Sequence, residues 1–330
     1  MVDEIKIKKC MKNNLRKFCV APMMGYTTPH ARKLYRILSK KAFLFTEMIP
    51  TNTLIHSNKK ELIIENNHQN PIALQLGGSD YKELIQCTKI AKNYNYDEIN
   101  LNVGCPSKAV QRGSFGACLM KKKYIVRDCL KAMLDNFENE ITMKCRIGVD
   151  DQISYEFFKD FIDVAIQSGI NIIYVHARHA ILNGLSPKNN RIIPPLKYEY
   201  VSMIKKDFPD TQFIINGGIK TIKQALEYSN TYDGVMLGRL IQSNPFCLLD
   251  VDKTFFNEKN NQQKCKSIVS EYFNYIKQNI DQDSIFRLLS PLLHIFFGVP
   301  NGKKYKTHIH TKMKNYEVDQ LEAMFLQFIG

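Results

Sequence analysis

Asn100-Leu101-Asn102-Val103-Gly104-Cys105-Pro106-Ser107-Lys108 sets two amides, a glycine and a thiol in one short run, the makings of acid–base chemistry on a bound ligand. Gly104 lets the backbone approach a ligand closely, and the cysteine after it can meet a substrate lying on a cofactor. Taken alone, a buried cysteine in an ordinary strand-to-helix turn is the commoner explanation. Other chemically capable residues are spread along the chain: Pro22-Met23-Met24, Gln75, Lys144, His176, Asn216-Gly217-Gly218 and Gly238-Arg239.

The elements that must position them are eight short apolar runs, predicted as strands: Phe18 to Ala21, Phe43 to Thr46, Ile72 to Leu76, Glu98 to Leu101, Ile141 to Arg146, Ile172 to His176, Phe213 to Asn216 and Gly234 to Leu237. Each is followed by a helical pattern, clearest at Tyr81 to Lys92, Tyr155 to Gln167 and Ile222 to Tyr228, with Asp80, Ser154 and Thr221 as N-caps. Eight such alternations predict an α/β fold, a closed (β/α)8 TIM barrel. Ala21-Pro22-Met23-Met24-Gly25 lacks the G-x-G-x-x-G spacing, which disfavours a doubly wound dinucleotide fold. Beyond about residue 250 the strand signal stops. Helices are expected at Gln263 to Ile280, Phe286 to Phe296 and Glu317 to Phe328, separated by breakers such as Pro291, Gly298, Pro300 and Gly302. The predicted organisation is a barrel over 1–250 and a small all-helical domain over 251–330, joined near Asp250 to Asn260.

In this register the unusual residues all fall at or near strand C-terminal ends, the face on which barrel active sites lie. Singly, Gln75 could be an exposed strand end, Lys144 a surface lysine and His176 a hydrogen-bonded core histidine. Their convergence on one rim is harder to explain as packing. Glycines after strands seven and eight, with Arg239, suit a phosphate site, and a phosphate-tailed cofactor without a dinucleotide fingerprint points to a mononucleotide such as FMN. Lys144 and Gln75 would then face the flavin ring. Alternatively Lys144 is a Schiff-base nucleophile, which leaves Cys105 without a task.

The chain has 330 residues, 44% hydrophobic and 24% charged, enough for one large core. No apolar run is long enough to span a bilayer and the charged N-terminus has no signal-like core, so a cytoplasmic location is expected. Nine cysteines without C-x-x-C pairs support neither a disulfide framework nor a metal site. A formal charge of +14 favours a polyanionic partner. Residues 1–50 hold eleven Lys/Arg against three acids, and Lys303, Lys304, Lys306, Lys312 and Lys314 form an acid-free run with Tyr305, His308 and His310 interleaved.

Motifs covering nearly the whole chain resemble the tRNA-dihydrouridine synthases. They are "APMMGYT" at Ala21, "QLGG" at Gln75, "NLNVGCPS" at Asn100, "RGSFGACLM" at Arg112, "KCRIG" at Lys144, "VHAR" at Val175, "GLSPKNNRIIPPL" at Gly184, "INGGI" at Ile215 and "DGVMLGR" at Asp233. "GLSPKNNR" with "VHARHA" is similar to the A-type subfamily, which acts on D-loop uridines at tRNA positions 20 and 20a. The resemblance implies reduction of the uracil C5–C6 double bond by FMN, recharged by NADPH. It places FMN contacts on Pro22, Met23, Met24, Gln75, Lys144, His176, Asn216, Gly217, Gly218, Gly238 and Arg239, and the proton donor on Cys105. Asn102 and Arg178 match positions close to the uracil, and Lys188, Arg191, Lys303 and Lys306 match tRNA-contacting positions. At 300–306 the subfamily usually carries arginines where this chain has lysines, which keep the charge but lose the bidentate phosphate fork.

Chemically, hydride delivery to uracil C6 from a stacked flavin leaves C5 to be protonated, and a thiol of ordinary pKa, about 8.5, is mostly protonated at neutral pH. The target base must be extruded into the barrel mouth while the surrounding RNA is held by shape and phosphate contacts. The helical domain and its lysine run are the expected grip, and the enzyme is expected to act as a monomer. Two rival readings remain: an FMN barrel reducing a small pyrimidine-like molecule, and a tRNA-binding module with a vestigial flavin site. Glu47 has no assigned role, and Cys118 and Cys145 are expected to be buried thiols.

Overall fold

Alternate residues of a strand point to opposite faces, and here one face of every strand lines the inside of a ring while the other packs on helices. The computed structural model describes residues 15–58, 69–258, 265–296, 298–313 and 317–329; Lys314, Gln263 and the basic residues before 15 lie outside them. The strands are β1 (Phe18–Val20), β2 (Leu44–Pro50), β3 (Ile72–Gly77), β4 (Glu98–Val103), β5 (Glu140–Arg146), β6 (Ile172–His176), β7 (Gln212–Asn216) and β8 (Gly234–Leu237). All pair in parallel in the order β1-β8-β7-β6-β5-β4-β3-β2. A parallel bridge between Cys19 and Phe43 joins β1 to β2, with Val20 N–H donating to Phe43 O at 2.8 Å and Phe43 N–H to Phe18 O at 2.9 Å. The ring is therefore the expected (β/α)8 barrel.

Asp80, Ser154 and Thr221 do cap the helices Tyr81–Ala91, Tyr155–Ile166 and Ile222–Ser229, each side chain accepting from backbone N–H groups of the first turn. β2 runs four residues beyond its expected end, with a register irregularity between Phe45 and Met48. Glu47 therefore lies within the strand rather than after it.

Among the described residues no strand follows β8, and the chain beyond 250 is helical. Three details differ from expectation. The segment near Asp250 to Asn260 contains a helix, Val251–Phe256, whose buried Phe255 packs against Phe18 at a ring separation of 5.0 Å. The single helix expected over Phe286 to Phe296 is two short ones, Ile285–Leu289 and Leu292–Phe296, parted at Pro291, which cannot donate a helical hydrogen bond. Gly302, expected to be a breaker, opens an unforeseen helix, Gly302–Lys312. A Cβ there would sit 1.9 Å from Phe296 O, so glycine is required for close approach to the preceding turn, not to end a helix.

The helix Cys265–Asn279 docks on the barrel helix Pro29–Leu38. His30 Nδ1 and Nε2 meet Tyr275 OH at 2.7 Å and Asp283 Oδ2 at 3.0 Å, and Tyr272 OH donates to His30 O at 3.3 Å. One continuous apolar cluster runs from the outer faces of the strands into this helical segment. No helix of the described residues is long and apolar enough to cross a membrane.

Candidate active site

Cys105 is held by its own loop and by a brace from behind. Asn102 Oδ1 accepts from Gly104 N–H at 3.1 Å and Cys105 N–H at 3.0 Å, and Cys105 O accepts from Ala117 N–H at 2.9 Å. Gly116, at φ +78°, lies so close that a Cβ would be 2.6 Å from Cys105 O. Phe115 is wedged between two glycines: a Cβ on Gly77 or Gly113 would fall 2.6 Å or 2.4 Å from its ring. The "QLGG" and "RGSFGACLM" motifs are thus two halves of one brace, which spacing along the chain does not reveal. Cys145 is buried as expected, but Cys118 is only half-buried, its thiol 3.1 Å from Phe115 O at the edge of this brace.

Opposite the loop, cationic side chains gather. Lys144 pairs in register with Asn102, Arg146 with His176, and His176 with Asn216. Burial, then the nearby Arg146, lowers Lys144 to about 8, opposed only by the thiols of Cys145 and Cys105. Burial lowers Arg146 to about 10, with Arg191 and Arg178 adding repulsion. His176 is pushed well below its usual value by burial and then by Arg146, Lys144, Arg178 and Arg239, so it is neutral at pH 7. Arg178 and Arg191 are lowered by burial and by Arg239, and only phenols and a thiol oppose this. Among the described residues, no carboxylate is among the groups that shift these side chains, and concentrated positive charge of this kind suits an anion. Within it His176 Nδ1 and Arg178 Nε are buried without a hydrogen-bond partner. Gln75 is buried at 1% exposure and Lys144 is half-buried, so neither is the surface residue its ordinary explanation required.

The glycines expected to cradle phosphate have close neighbours in the protein. Gly217, at φ +113°, lies over His176, where a Cβ would be 3.2 Å from Cε1, and a Cβ on Gly218 would be 2.4 Å from Leu196. Asn216 Nδ2 donates to Met236 O at 2.7 Å, tying the ends of β7 and β8. Gly238 abuts Met23, with 3.3 Å from its Cβ position to Sδ. Thr27 Oγ1 accepts from Met23 N–H at 3.0 Å, Pro22 is half-buried beside it and Met24 is 63% exposed at the rim. Glu47 accepts from Gly25 N–H and so holds the turn after β1.

Arg146 was not singled out by its sequence context, yet it joins three segments of the rim. Its Nε donates to Gly104 O at 2.9 Å and its Nη1 to His179 O and Asn190 O, each at 3.0 Å. Asn190 in turn bonds the Ile181 backbone both ways at 2.8 Å, which folds the loop carrying Lys188 and Arg191 back onto the barrel. Arg146→Met keeps the stem and strands three carbonyls. It is expected to lower unfolding free energy by at least about 2 kcal/mol in a urea titration. A loss under about 0.5 kcal/mol would show that the rim does not depend on this latch.

Arg178 donates from Nη1 to Pro194 O, and Lys188 and Arg191 are exposed on the same loop. Arg191 is near enough to Cys105 and Tyr26 to feel both electrostatically. Lys303 and Lys306 are exposed on the helix Gly302–Lys312 and line a different cleft, with His294 and Phe296. The structure therefore gathers all the candidate flavin, thiol and loop residues at one barrel mouth and sets the two lysines apart from it.

A closed barrel whose C-terminal rim joins a basic, glycine-lined cluster to a braced thiol carries its chemically capable residues on the face where barrel enzymes act. The family model described as Dihydrouridine synthase matches residues 19–329, and the chain belongs to that family. It is 42% identical over 297 residues to the tRNA-dihydrouridine(20/20a) synthase of Yersinia pestis, covering 89% of this chain and 86% of the relative. Against the enzyme of the same name from Escherichia coli K12 it is 43% identical over 295 residues, covering 89% and 85%. Among solved structures morphinone reductase shares the fold, with a TM-score of 0.53 at 11% identity over 76% of this chain and 88% of that one. The family expected from the motifs is the family found, and the chain is an oxidoreductase of it.

Proposed function

We propose that this chain reduces D-loop uridines of tRNA, at positions 20 and 20a, to 5,6-dihydrouridine with FMN as cofactor and NADPH as electron donor. The observation that carries this is the cationic cluster, with no carboxylate of the described residues among the groups that shift it and with His176 Nδ1 and Arg178 Nε unpartnered, facing the braced thiol of Cys105. These residues fit a flavin mononucleotide. Gly217, Gly218, Gly238 and Arg239 would take the phosphate; Lys144, Gln75, Asn216 and His176 the ring and its chain; Pro22, Met23 and Met24 the near edge. FMN bound there supplies hydride to uracil C6. Lys144, when charged, balances negative charge on the ring system. Cys105 holds a proton at Sγ for delivery to C5, and the loop bonds from Asn102 and Ala117 keep that sulfur in place. Lys188, Arg191 and the helix Gly302–Lys312 in the segment 251–330 would grip the RNA.

The reaction is tested by reducing the yellow protein with NADPH and adding unmodified tRNA in a single turnover. A tRNA-dependent return of the oxidised flavin spectrum, with a two-dalton gain mapped late in the D-loop, is the expected result. Rapid re-oxidation by free uracil with tRNA unmodified would transfer the activity to small molecules.

Flavin binding should also depend on pH. With Lys144 lowered to about 8 in the ligand-free protein, it is charged below that pH and loses its proton above it. An anionic ligand favours the charged form, so binding takes up a proton above pH 8 and the FMN Kd should rise, by up to about tenfold per pH unit. Fluorescence titration from pH 7 to 9.5 checks this, and Lys144→Met should flatten the curve. A Kd constant across that range in the wild type would remove Lys144 from the site.

A further inference from the structure

We propose that the buried ion pair Arg16–Glu98 on the barrel floor sets the orientation of the Asn102 side chain, and through it the position of Cys105, by a one-way chain of hydrogen bonds. Arg16 precedes β1 and Glu98 opens β4, so the pair lies at the end of the barrel opposite the thiol, about 13 Å along β4 from Asn102. Arg16 Nη2 and Nε reach Glu98 Oε2 at 2.7 Å and 2.8 Å, and Tyr174 OH donates to the same oxygen at 3.0 Å. Burial pushes the Glu98 carboxyl up, but the Arg16 guanidinium and the hydroxyls of Thr142 and Tyr174 all favour its charged form, and a carboxylate so held can only accept.

That restriction propagates. Thr142 Oγ1 must give its single proton to Glu98 Oε1, at 2.6 Å, so it can only accept from Asn100 Nδ2, at 2.7 Å. Asn100 then turns Oδ1 to Gln75 Nε2, at 2.8 Å. Gln75 therefore presents Oε1 to Asn102 Nδ2, at 2.9 Å. Asn102 is left with Oδ1 facing outwards, where it accepts from the N–H groups of Gly104 and Cys105. Glu98, Asn100, Thr142 and Gln75 are at most 1% exposed, so water does not substitute for a missing link. Reversing any one amide sets donor against donor in the next contact. Thr142 and Asn100, neither of which touches the ligand site directly, are thus positioning residues for the thiol, and Gln75 is fixed in the same sense with only one N–H left for a ligand.

The test is the rate at which iodoacetamide labels Cys105 in the flavin-bound protein, read by peptide mass spectrometry against the exposed Cys265. Thr142→Val keeps the shape and removes the hydroxyl, so the chain loses its direction and the loop its acceptor. Labelling at Cys105 should rise by about threefold or more, and tRNA-dependent flavin re-oxidation should fall by about tenfold. Thr142→Ser restores the hydroxyl and should return both to within about twofold of wild type. Tyr174→Phe deletes a buried hydroxyl on the same carboxylate but off the chain, and should leave Cys105 labelling unchanged. Should Thr142→Val not fold, Asn100→Leu breaks the next link with the same expectation. Equal labelling rates in Thr142→Val and Tyr174→Phe, or no rescue by serine, would overturn the proposal. The activity readout rests on the proposed reaction but the labelling series does not, so wild-type protein inert towards tRNA would refute that reaction while labelling still decides the chain.

Discussion

Cys105→Ala is expected to slow uridine reduction in tRNA by about 10²-fold or more while leaving flavin binding and NADPH oxidation nearly intact. The split follows from where the thiol stands. Cys105 is half-exposed on the loop after β4, and its backbone N–H and C=O are held by Asn102 and Ala117. Alanine keeps those backbone bonds, so the brace formed by Phe115 and Gly116 should survive. What is lost is the proton at Sγ. Single-turnover kinetics separate the two half-reactions, and re-oxidation by tRNA at the wild-type rate would mean that C5 is protonated by another group.

The double substitution Lys303→Glu and Lys306→Glu should raise the apparent tRNA KM by roughly 10- to 100-fold at moderate salt and leave the NADPH half-reaction unchanged. Both side chains are exposed on the helix Gly302–Lys312, beside the cleft lined by His294 and Phe296, and neither is in its buried set of Gly302 and Ile309, so charge reversal should leave that packing in place. Each lost phosphate contact removes about 0.7 to 0.9 from the slope of log K against log salt, and the double variant should be less salt-sensitive by about 1 to 2. His294 beside Lys306 is lowered by burial and by that lysine, so it adds little charge near neutral pH. Unchanged tRNA binding would place the RNA grip elsewhere on the molecule.

Much of the fold is legible in the chain because it is encoded locally. Strand length, the caps at Asp80, Ser154 and Thr221, and the return of apolar runs every few tens of residues are properties of short segments. Alternation along β4 sends Glu98, Asn100 and Asn102 to one side, and the order of the elements sends every loop after a strand to one rim. That suffices to bring Gln75, Cys105, Lys144, His176, Asn216 and Arg239 to one mouth. The helix Gly302–Lys312 was not legible for the same local reason: Pro300 and Gly302 read as breakers, and only the 1.9 Å from a Cβ at Gly302 to Phe296 O shows why glycine stands there.

Arg146 and Phe115 carry no signal in the sequence, and Glu47 shows no role there, because their partners are distant along the chain. Arg146 meets carbonyls of Gly104, His179 and Asn190; Phe115 fills the space over Gly77; Glu47 holds Gly25. None of these pairings is periodic. The amino-acid sequence by itself determined the barrel, the family and the rim on which the chemistry lies, because each rests on motifs and spacing along the chain. Only the tertiary structure decided how the thiol is held and which way each buried amide points. A hydrogen bond constrains its donor and acceptor through space, and its direction here is set by a carboxylate on the far side of the barrel.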